Sequence, residues 1–545
     1  MLDYLRRLAS TGASYTASSV ISKLFAVALL PVYTRHLTRA DYGAAEVLLA
    51  TVVALSIVFR LGVVEALLRF YYENGDDSAS RIVGSGRDAE EQGGRSASRT
   101  TGSGRDVVTE TTVISWRDEV VRSATSFLFI AVTVGALLVA AVAGPLSEAL
   151  LDRRDVELMM IAAGGLWVFT LYELLMALFR LDERARAYFV ASLANVLITI
   201  ALTVWLVVVE DEGARGLLLG NFGGSAIVLT ALFWIHRRRL ALVPSRRRLG
   251  DMLRFGLPTM PAELSLYALN FVDRVALARL AGLAEAGLYA LAVKFSQAVT
   301  VIVRGFNLAW PPLAYSIRDD HTARRTYSVV VTYYLLLAFT IVLAISLEAR
   351  WVVRALAAPD FFDSYQAVPL VSTGVALYAL YLVLAVSVQR TGETRFNFPV
   401  TGAALVVNIA LNLVLVPPFG IVGAGIALVG AYVVMIALMY GVSRRMFPLA
   451  LEWGRIARIV GIAAALFAAG ELLLPVSGAA GFASRAVVAL AYLPLLYASG
   501  FFGEREREVI RRALERARGA SVEPPQDLEA LRSRADLMDE VHDAQ

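Results

Sequence analysis

Apolar runs long enough to cross a membrane recur from one end of this chain to the other. A helix rises 1.5 Å per residue, so about 20 residues span the ~30 Å hydrocarbon core of a bilayer. Fourteen such runs lie near residues 12–34, 44–68, 120–144, 156–180, 186–209, 214–235, 252–273, 286–309, 326–348, 365–388, 397–416, 420–442, 456–474 and 484–502. A chain in lipid must satisfy its own backbone hydrogen bonds, and runs of this length do so as helices. The 545 residues are 57% hydrophobic and only 18% charged, with a mean hydropathy of +0.62. The sequence therefore predicts an all-α polytopic membrane protein with about 14 transmembrane helices. The first run is of full span length, carries Lys23 and lacks a small-residue cleavage pattern, so it reads as a span and not a cleaved signal.

The charges orient these spans. With the N-terminus inside, the inner loops hold Arg6-Arg7, Arg117/Arg122, Arg180/Arg184/Arg186, Arg237-Arg238-Arg239 with Arg246-Arg247-Arg248, Arg318/Arg324/Arg325, Arg390/Arg395 and Arg444-Arg445. The outer loops hold fewer or equal numbers, as the positive-inside rule requires. Both termini are then cytoplasmic. This distribution also argues against nucleic acid as the partner of a chain whose pI is about 9.2. There is no cysteine, which excludes disulfides and thiolate chemistry. His36, His236, His321 and His542 are scattered without ligand spacing, so no metal and no cofactor are expected.

Shifting the chain by 244 residues brings Gly12 onto Gly256, Arg35 onto Arg279, Asp41 onto Glu285 and Gly43 onto Gly287. Later, Phe179-Arg180 before a span with Asn195 parallels Gln389-Arg390 before a span with Asn408. Six spans separate the halves, so both have one orientation, and parallel repeats imply two pseudo-symmetric six-helix lobes with substrate between them. The expected division is a first lobe at 1–72 and 118–236 and a second at 237–445. Two extra spans follow at 446–503 and a cytoplasmic tail at 504–545. Residues 73–117 are rich in Gly, Ser, Arg and Asp, repeat a short motif, and read as a disordered cytoplasmic insertion.

Only two residues of the chain are lysine, Lys23 and Lys294, and both fall inside spans, as do Arg60 and Arg304. A mid-membrane cation costs about 2.5–3.5 kcal/mol on insertion scales, so these must face protein or water. At 100° per residue the polar side chains gather into stripes. Glu263, Tyr267, Asn270 and Arg274 share one face, and Lys294, Gln297, Thr300, Arg304 and Asn307 another. Glu46 with Arg60, and Glu173 with Arg180, share faces of two further spans. We read Lys23, Arg60, Arg274, Lys294, Arg304, Tyr267, Asn270 and Gln297 as the wall of a cationic cavity for an anionic substrate. Glu263, Asp273, Glu46 and Glu173 are candidates for ion coupling or for charge partners, Glu263 holding Arg274 in the second case. Asn408 and Asn412 read as interhelical hydrogen-bond glue, and Gly420, Gly423 and Gly425 as a tight turn with close packing. Pro258 and Pro261 should kink the seventh span.

Several stretches resemble one family. They are Leu37-Thr38-Arg39-Ala40-Asp41-Tyr42-Gly43, Leu68-Arg69-Phe70-Tyr71-Tyr72, and Phe255-Gly256-Leu257-Pro258 with Asp273-Arg274. Gly287-Leu288-Tyr289-Ala290, Gln389-Arg390-Thr391-Gly392-Glu393-Thr394, and Asn408 to Asn412 leading into Pro418-Phe419-Gly420 complete the set. In order and spacing the chain resembles the Wzx-like polysaccharide and O-antigen flippases of the multidrug/oligosaccharidyl-lipid/polysaccharide exporter superfamily, over nearly all of residues 5–445. The resemblance implies two lobes with alternating access in a bacterial cytoplasmic membrane. It implies an undecaprenyl-diphosphate-linked oligosaccharide as cargo, and polysaccharide polymerase or assembly proteins as partners. Fourteen spans instead of twelve are similar to the related lipid II flippases. The 73–117 insertion departs from the pattern.

Other classes fit less well. A multidrug or cation antiporter of the same superfamily wants buried carboxylates, and no Asp or Glu occurs between Asp3 and Asp41. A membrane glycosyltransferase needs acid/base residues in large outer loops, and these loops are short. A scaffold has no use for repeated mid-membrane cations. The chain is therefore not expected to be an enzyme.

Overall fold

The computed structural model describes residues 23, 25–73, 116–237, 239–240, 245–393, 395–504, 506–508 and 511. Residues 74–115 of the predicted insertion, most of the first span and the end of the tail lie outside these residues, while residues 73, 116 and 117 are helical.

Among the described residues the chain is helical and has no strand. In chain order the α-helices are α1 Leu30–His36, α2 Arg39–Arg60, α3 Val63–Glu73, α4 Trp116–Ala141, α5 Ala143–Leu151, α6 Val156–Leu181, α7 Ala185–Val204 and α8 Gly213–His236. They continue as α9 Arg246–Leu280, α10 Leu283–Ser316, α11 Asp320–Leu356, α12 Val368–Gln389, α13 Asn397–Met446, α14 Trp453–Leu473 and α15 Gly478–Ala498. Ten helices are long and apolar enough to cross a membrane. α13 crosses twice: Gly420, after Pro417-Pro418, takes φ 51° and ψ −129°, a conformation glycine enters freely, and folds the 50-residue helix on itself. α9 and α10, at 35 and 34 residues, are long enough but not among those ten. They carry the charged stripes, and a helix that lines a wet interior cannot be uniformly apolar. Pro258 and Pro261 lie inside α9, which continues through both.

Local signals explain the element ends. Thr38 caps α2, its hydroxyl oxygen accepting from the Asp41 N–H at 3.1 Å. Asp155 and Asp319 cap α6 and α11 in the same way. One apolar core runs through α2 to α8 and continues across into α9, α10 and α12, and a second is confined to α9 to α15.

The lobes meet at positions that the repeat relates to each other. A Cβ added to Gly43 on α2 would lie 2.0 Å from the carbonyl oxygen of Leu283, and one on Gly287 of α10 would lie 2.1 Å from that of Arg39. The 244-residue shift carries Arg39 and Gly43 onto Leu283 and Gly287. The contact is therefore self-complementary, as in a two-fold interface. It joins the lobes at the end of the bundle that the arginines place outside. A second close approach, Gly62 against Gly256, joins them towards the other end.

The last two helices pack on α11 of the second lobe. Near one membrane face Arg350 and the fully buried Arg485 share the carboxylate of Glu471. Near the other, Glu506 accepts from Arg455 and from Tyr333.

Candidate functional site: charges across the lobe interface

One face of α2 collects the second lobe. Glu46 is 4% exposed and receives Lys294 Nζ of α10 at 3.0 Å and Arg274 Nη1 of α9 at 3.5 Å. One turn on, the Tyr267 hydroxyl donates to the Ala50 carbonyl at 3.0 Å. Further along, Arg60 Nη2 meets Glu263 Oε1 at 3.2 Å. Residues 46, 50 and 60 recur at helical spacing, so a single stripe of α2 carries all three contacts. Two cations on one carboxylate leave a local positive excess at the lobe interface. A buried ion pair roughly breaks even against apolar packing, so this arrangement is poorly explained by stability alone.

The sequence-derived site residues are thus partly gathered and partly not. Arg60, Arg274, Lys294, Tyr267, Glu46 and Glu263 stand together at the interface. Glu263 pairs with Arg60 and not with Arg274. The two share a helical face but are 11 residues apart, about 16 Å along the axis at 1.5 Å per residue. Glu65 lies near enough to Glu263 to repel it. Lys23 is helical and half-buried, and Gln297 is half-buried on α10. The side chain of Arg304 lies outside the described residues. Asn270 donates to the Tyr432 hydroxyl at 3.0 Å. Glu173 makes no ion pair among the described residues, and Arg180 on the same face is exposed.

Asp273 is held by hydrogen bonds and makes no ion pair among the described residues. It is fully buried inside the second lobe, accepting from Asn412 at 2.8 Å, Asn408 at 3.0 Å and the Tyr289 hydroxyl at 3.0 Å. Asn408 and Asn412 are therefore the expected interhelical glue, with Asp273 as the group they hold. The motifs behind the family resemblance acquire physical roles here. Thr38 to Gly43 caps α2 and allows the lobe crossing. Asp273-Arg274 supplies one core acceptor and one interface cation. Tyr289 fixes the Asp273 carboxylate.

A cavity of about 220 Å³ opens beside Lys294 within the first lobe, between α2, α7, α8 and residues 25–33. Asn195, Thr199, Asn221 and Ser225 line it, together with Tyr33 and Glu46. The Asn195 Oδ1 and Thr199 Oγ1 atoms are buried without a hydrogen-bond partner. The sequence reading used Asn195 only as a repeat marker. The missed signal was a polar ladder, Asn195, Thr199 and Thr203 at i, i+4 and i+8, facing Asn221 and Ser225 at i and i+4. A separate apolar groove of about 510 Å³ runs between α11, α12, α13 and α14, lined by Leu335, Phe339, Leu377, Val433 and Trp453 among others.

Comparison with known proteins bears on fold and family. Residues 107–361 match the family model described as polysaccharide biosynthesis protein. No curated protein matches the chain in sequence. The solved structure of the lipid II flippase MurJ in an inward closed conformation is similar to it with a TM-score of 0.67 at 12% identity, over 92% of this chain and 99% of that one. An inward-facing multidrug resistance MATE family transporter of the MOP superfamily follows with a TM-score of 0.58 at 16% identity, over 81% and 96% of the two chains. An outward-facing MATE transporter gives 0.52 at 15% identity, over 84% and 96%. At these identities the structures establish a shared fold. Family match and fold agree with the sequence resemblance: over residues 107–361 the chain is similar to polysaccharide biosynthesis proteins, and it shares the fold of MurJ and of the MATE transporters.

Proposed function

We propose that this protein moves an undecaprenyl-diphosphate-linked oligosaccharide from the inner to the outer leaflet of a bacterial cytoplasmic membrane, for cell-envelope polysaccharide synthesis. The observation that carries the reading is the convergence of Lys294 and Arg274 on the single carboxylate of Glu46 at the lobe interface. A diphosphate entering there competes with Glu46 for a compact ammonium and a planar guanidinium, both good phosphate ligands. The lobes are then held on one side by glycine contacts and released by exchange of one anion for another. The apolar groove of about 510 Å³ beside α14 offers a bed for the polyprenyl tail. Nothing in this cycle requires a covalent step, which supports a transporter over an enzyme. The MurJ likeness makes lipid II the neighbouring alternative cargo. A cation antiporter is less well supported, because Glu46 is already neutralised by two cations.

The test is translocation by the purified full chain in proteoliposomes loaded with lipid-linked oligosaccharide, read by an impermeant glycan-specific probe. Lys294→Ala and Lys23→Ala should each abolish exposure of the glycan, and Lys294→Arg should retain part of it. If both alanine proteins insert and transport normally, the cationic-interface reading is wrong.

A further inference from the structure

The outer closure of the lobes has two edges, and they differ. On one edge Arg279, which the repeat pairs with Arg35, reaches from α9 to the Asp152 carboxylate at 3.0 Å and the Glu148 carbonyl at 2.8 Å, with both charged side chains exposed. On the other edge the connection between α11 and α12, residues 357–367, lies against the first lobe. Its middle is a 3₁₀ helix, Pro359–Gln366. Phe361 is 1% exposed and meets the Tyr42 ring edge-on, with centroids 6.0 Å apart. The Ala358 N–H donates to the Thr34 hydroxyl at 3.0 Å, and Arg39 faces Asp363 at 3.9 Å. Thr34 lies near the end of α1, and Arg39 and Tyr42 open α2. Exposed ion pairs contribute little, whereas a buried aromatic ring contributes by its area and by edge-to-face geometry. The edge held by Phe361 is therefore the stronger one.

Phe361 and Tyr42 belong to different lobes, so any opening on the outer side draws them apart. The same strap is tied on its far side to the last two helices. The Arg350 guanidinium of α11 lies over the Tyr365 ring at 4.3 Å and pairs with Glu471 of α14 at 2.6 Å. Glu471 in turn holds the buried Arg485 of α15. A planar guanidinium stacks and pairs at once, so a displacement of Glu471 is felt at Tyr365. We propose that residues 357–367 are the bolt of the outer gate, that Phe361 is the part that must withdraw, and that Arg350 lets α14 and α15 set it. This gives the two helices that follow the repeat a part in gating. It goes beyond the cargo proposed above and requires only that the lobes separate on the outer side.

Ala50 is 3% exposed on the stripe of α2 that meets the second lobe. In this cysteine-free chain, Ala50→Cys gives a thiol that an impermeant maleimide, added to intact cells, reaches only when the outer side opens. Phe361→Ala should speed this labelling about tenfold, because the burial of the ring is lost from the closed state alone. Phe361→Leu keeps an apolar side chain with little risk to folding and should speed it less. Arg350→Met should speed labelling about threefold, the scale of one cation–π contact, and should add nothing in the Phe361→Ala background. Arg279→Gln, on the exposed edge, should change the rate least. Labelling unchanged by both Phe361 substitutions overturns the bolt. No effect of Arg350→Met, or one that multiplies fully with that of Phe361→Ala, overturns the tie to α14 and α15. The labelling uses no added cargo, so these outcomes stand apart from the identity of what is carried, which the translocation assay tests.

Discussion

In the second lobe, Asn408 and Asn412 of α13 close on the carboxylate of Asp273. In the first lobe the paired positions, four residues apart on the equivalent span, are Asn195 and Thr199, and they face a cavity. The 244-residue repeat explains the difference, because it sets Leu29 where the second lobe has Asp273. A second exchange enlarges it. Gly213 and Gly420 open α8 and the second half of α13 with φ of 52° and 51°. Counted from these glycines, Ser225 occupies the place of Tyr432, a fully buried ring in the second lobe. One scaffold is thus filled in one lobe and emptied in the other. The filled lobe carries Arg274 and Lys294 on the face it turns to the first lobe. The emptied lobe keeps the polar frame and loses its contents, leaving room for a ligand. Two exchanges between the repeats are enough to leave a cavity in one lobe where the other is packed.

The largest test of this contrast is Asp273→Leu, which gives the second lobe the first lobe's residue. It strands three buried donors at about 1–3 kcal/mol each, offset in part by the carboxylate's own desolvation. We expect a net loss of about 3 kcal/mol, seen as a fall in thermal midpoint of the detergent-solubilised protein. The reciprocal Leu29→Asp should cost less, about 1–2 kcal/mol, because the Thr199 hydroxyl has no hydrogen-bond partner there and can donate to the new carboxylate. A second lobe indifferent to Asp273→Leu would erase the distinction.

Next in size is the symmetric crossing. Gly43→Ala and Gly287→Ala each push a methyl into a backbone carbonyl at 2.0 and 2.1 Å. Overpacking of this kind costs about 1–3 kcal/mol, and two-fold related sites should lose similar amounts. Markedly unequal losses in unfolding midpoint would show that the crossing is not a shared axis.

The cation pair should give smaller and graded effects. Lys294→Met leaves Glu46 with Arg274, and Arg274→Met leaves it with Lys294. Each should cost about 1–2 kcal/mol, less than the 3–5 kcal/mol of fully stranding a buried charge, which the double variant approaches. The Lys294 contact is the shorter, 3.0 against 3.5 Å, so its removal should cost more. Additive single effects would mean the two cations do not share one anion.

Much of this architecture is legible in the sequence because it is periodic. Span length, arginine bias and the repeat each depend on spacing alone; the repeat marked Gly43 and Gly287, and the cluster at Gly420, Gly423 and Gly425 announced a tight turn with close packing. The stripes on α2, α9 and α10 were legible for the same reason. Pairing was not. Whether Glu263 meets Arg274 or Arg60 depends on how far α9 slides along α2, which helical periodicity leaves open. Asp273 likewise reads as a charge beside Arg274, but successive residues on a helix point 100° apart, so one enters the lobe core while the other leaves it. The cavity escaped notice because it is made by an absence, a leucine and a serine where the other lobe has Asp and Tyr.

The last asymmetry is the pair α14 and α15, which have no counterpart beside the first lobe, and its clasp should show the smallest effect. Glu506 follows α15 and lies outside the membrane-spanning segments. Burial alone would raise its carboxyl pKa, but hydrogen bonds from Tyr333, the Gly503 N–H and Arg455, with the charge of Arg455, hold it below the ordinary value of 4.5. A depressed folded-state pKa contributes stability that is present above the ordinary value and lost as pH falls through the folded one. At neutral pH the clasp is therefore complete, and below about pH 4.5 it weakens progressively. The site is partly exposed, so its worth is that of a screened pair, about 0.5 kcal/mol. Glu506→Gln should lower the thermal midpoint slightly at pH 7 and lose that deficit in acid, where wild type loses the same interaction. Accessibility of a cysteine placed at Gly500, in this cysteine-free chain, should rise in parallel. A deficit that persists unchanged at acid pH would show that the last helices are held by packing on α11 alone, and that charge plays no part in fixing them to the filled lobe.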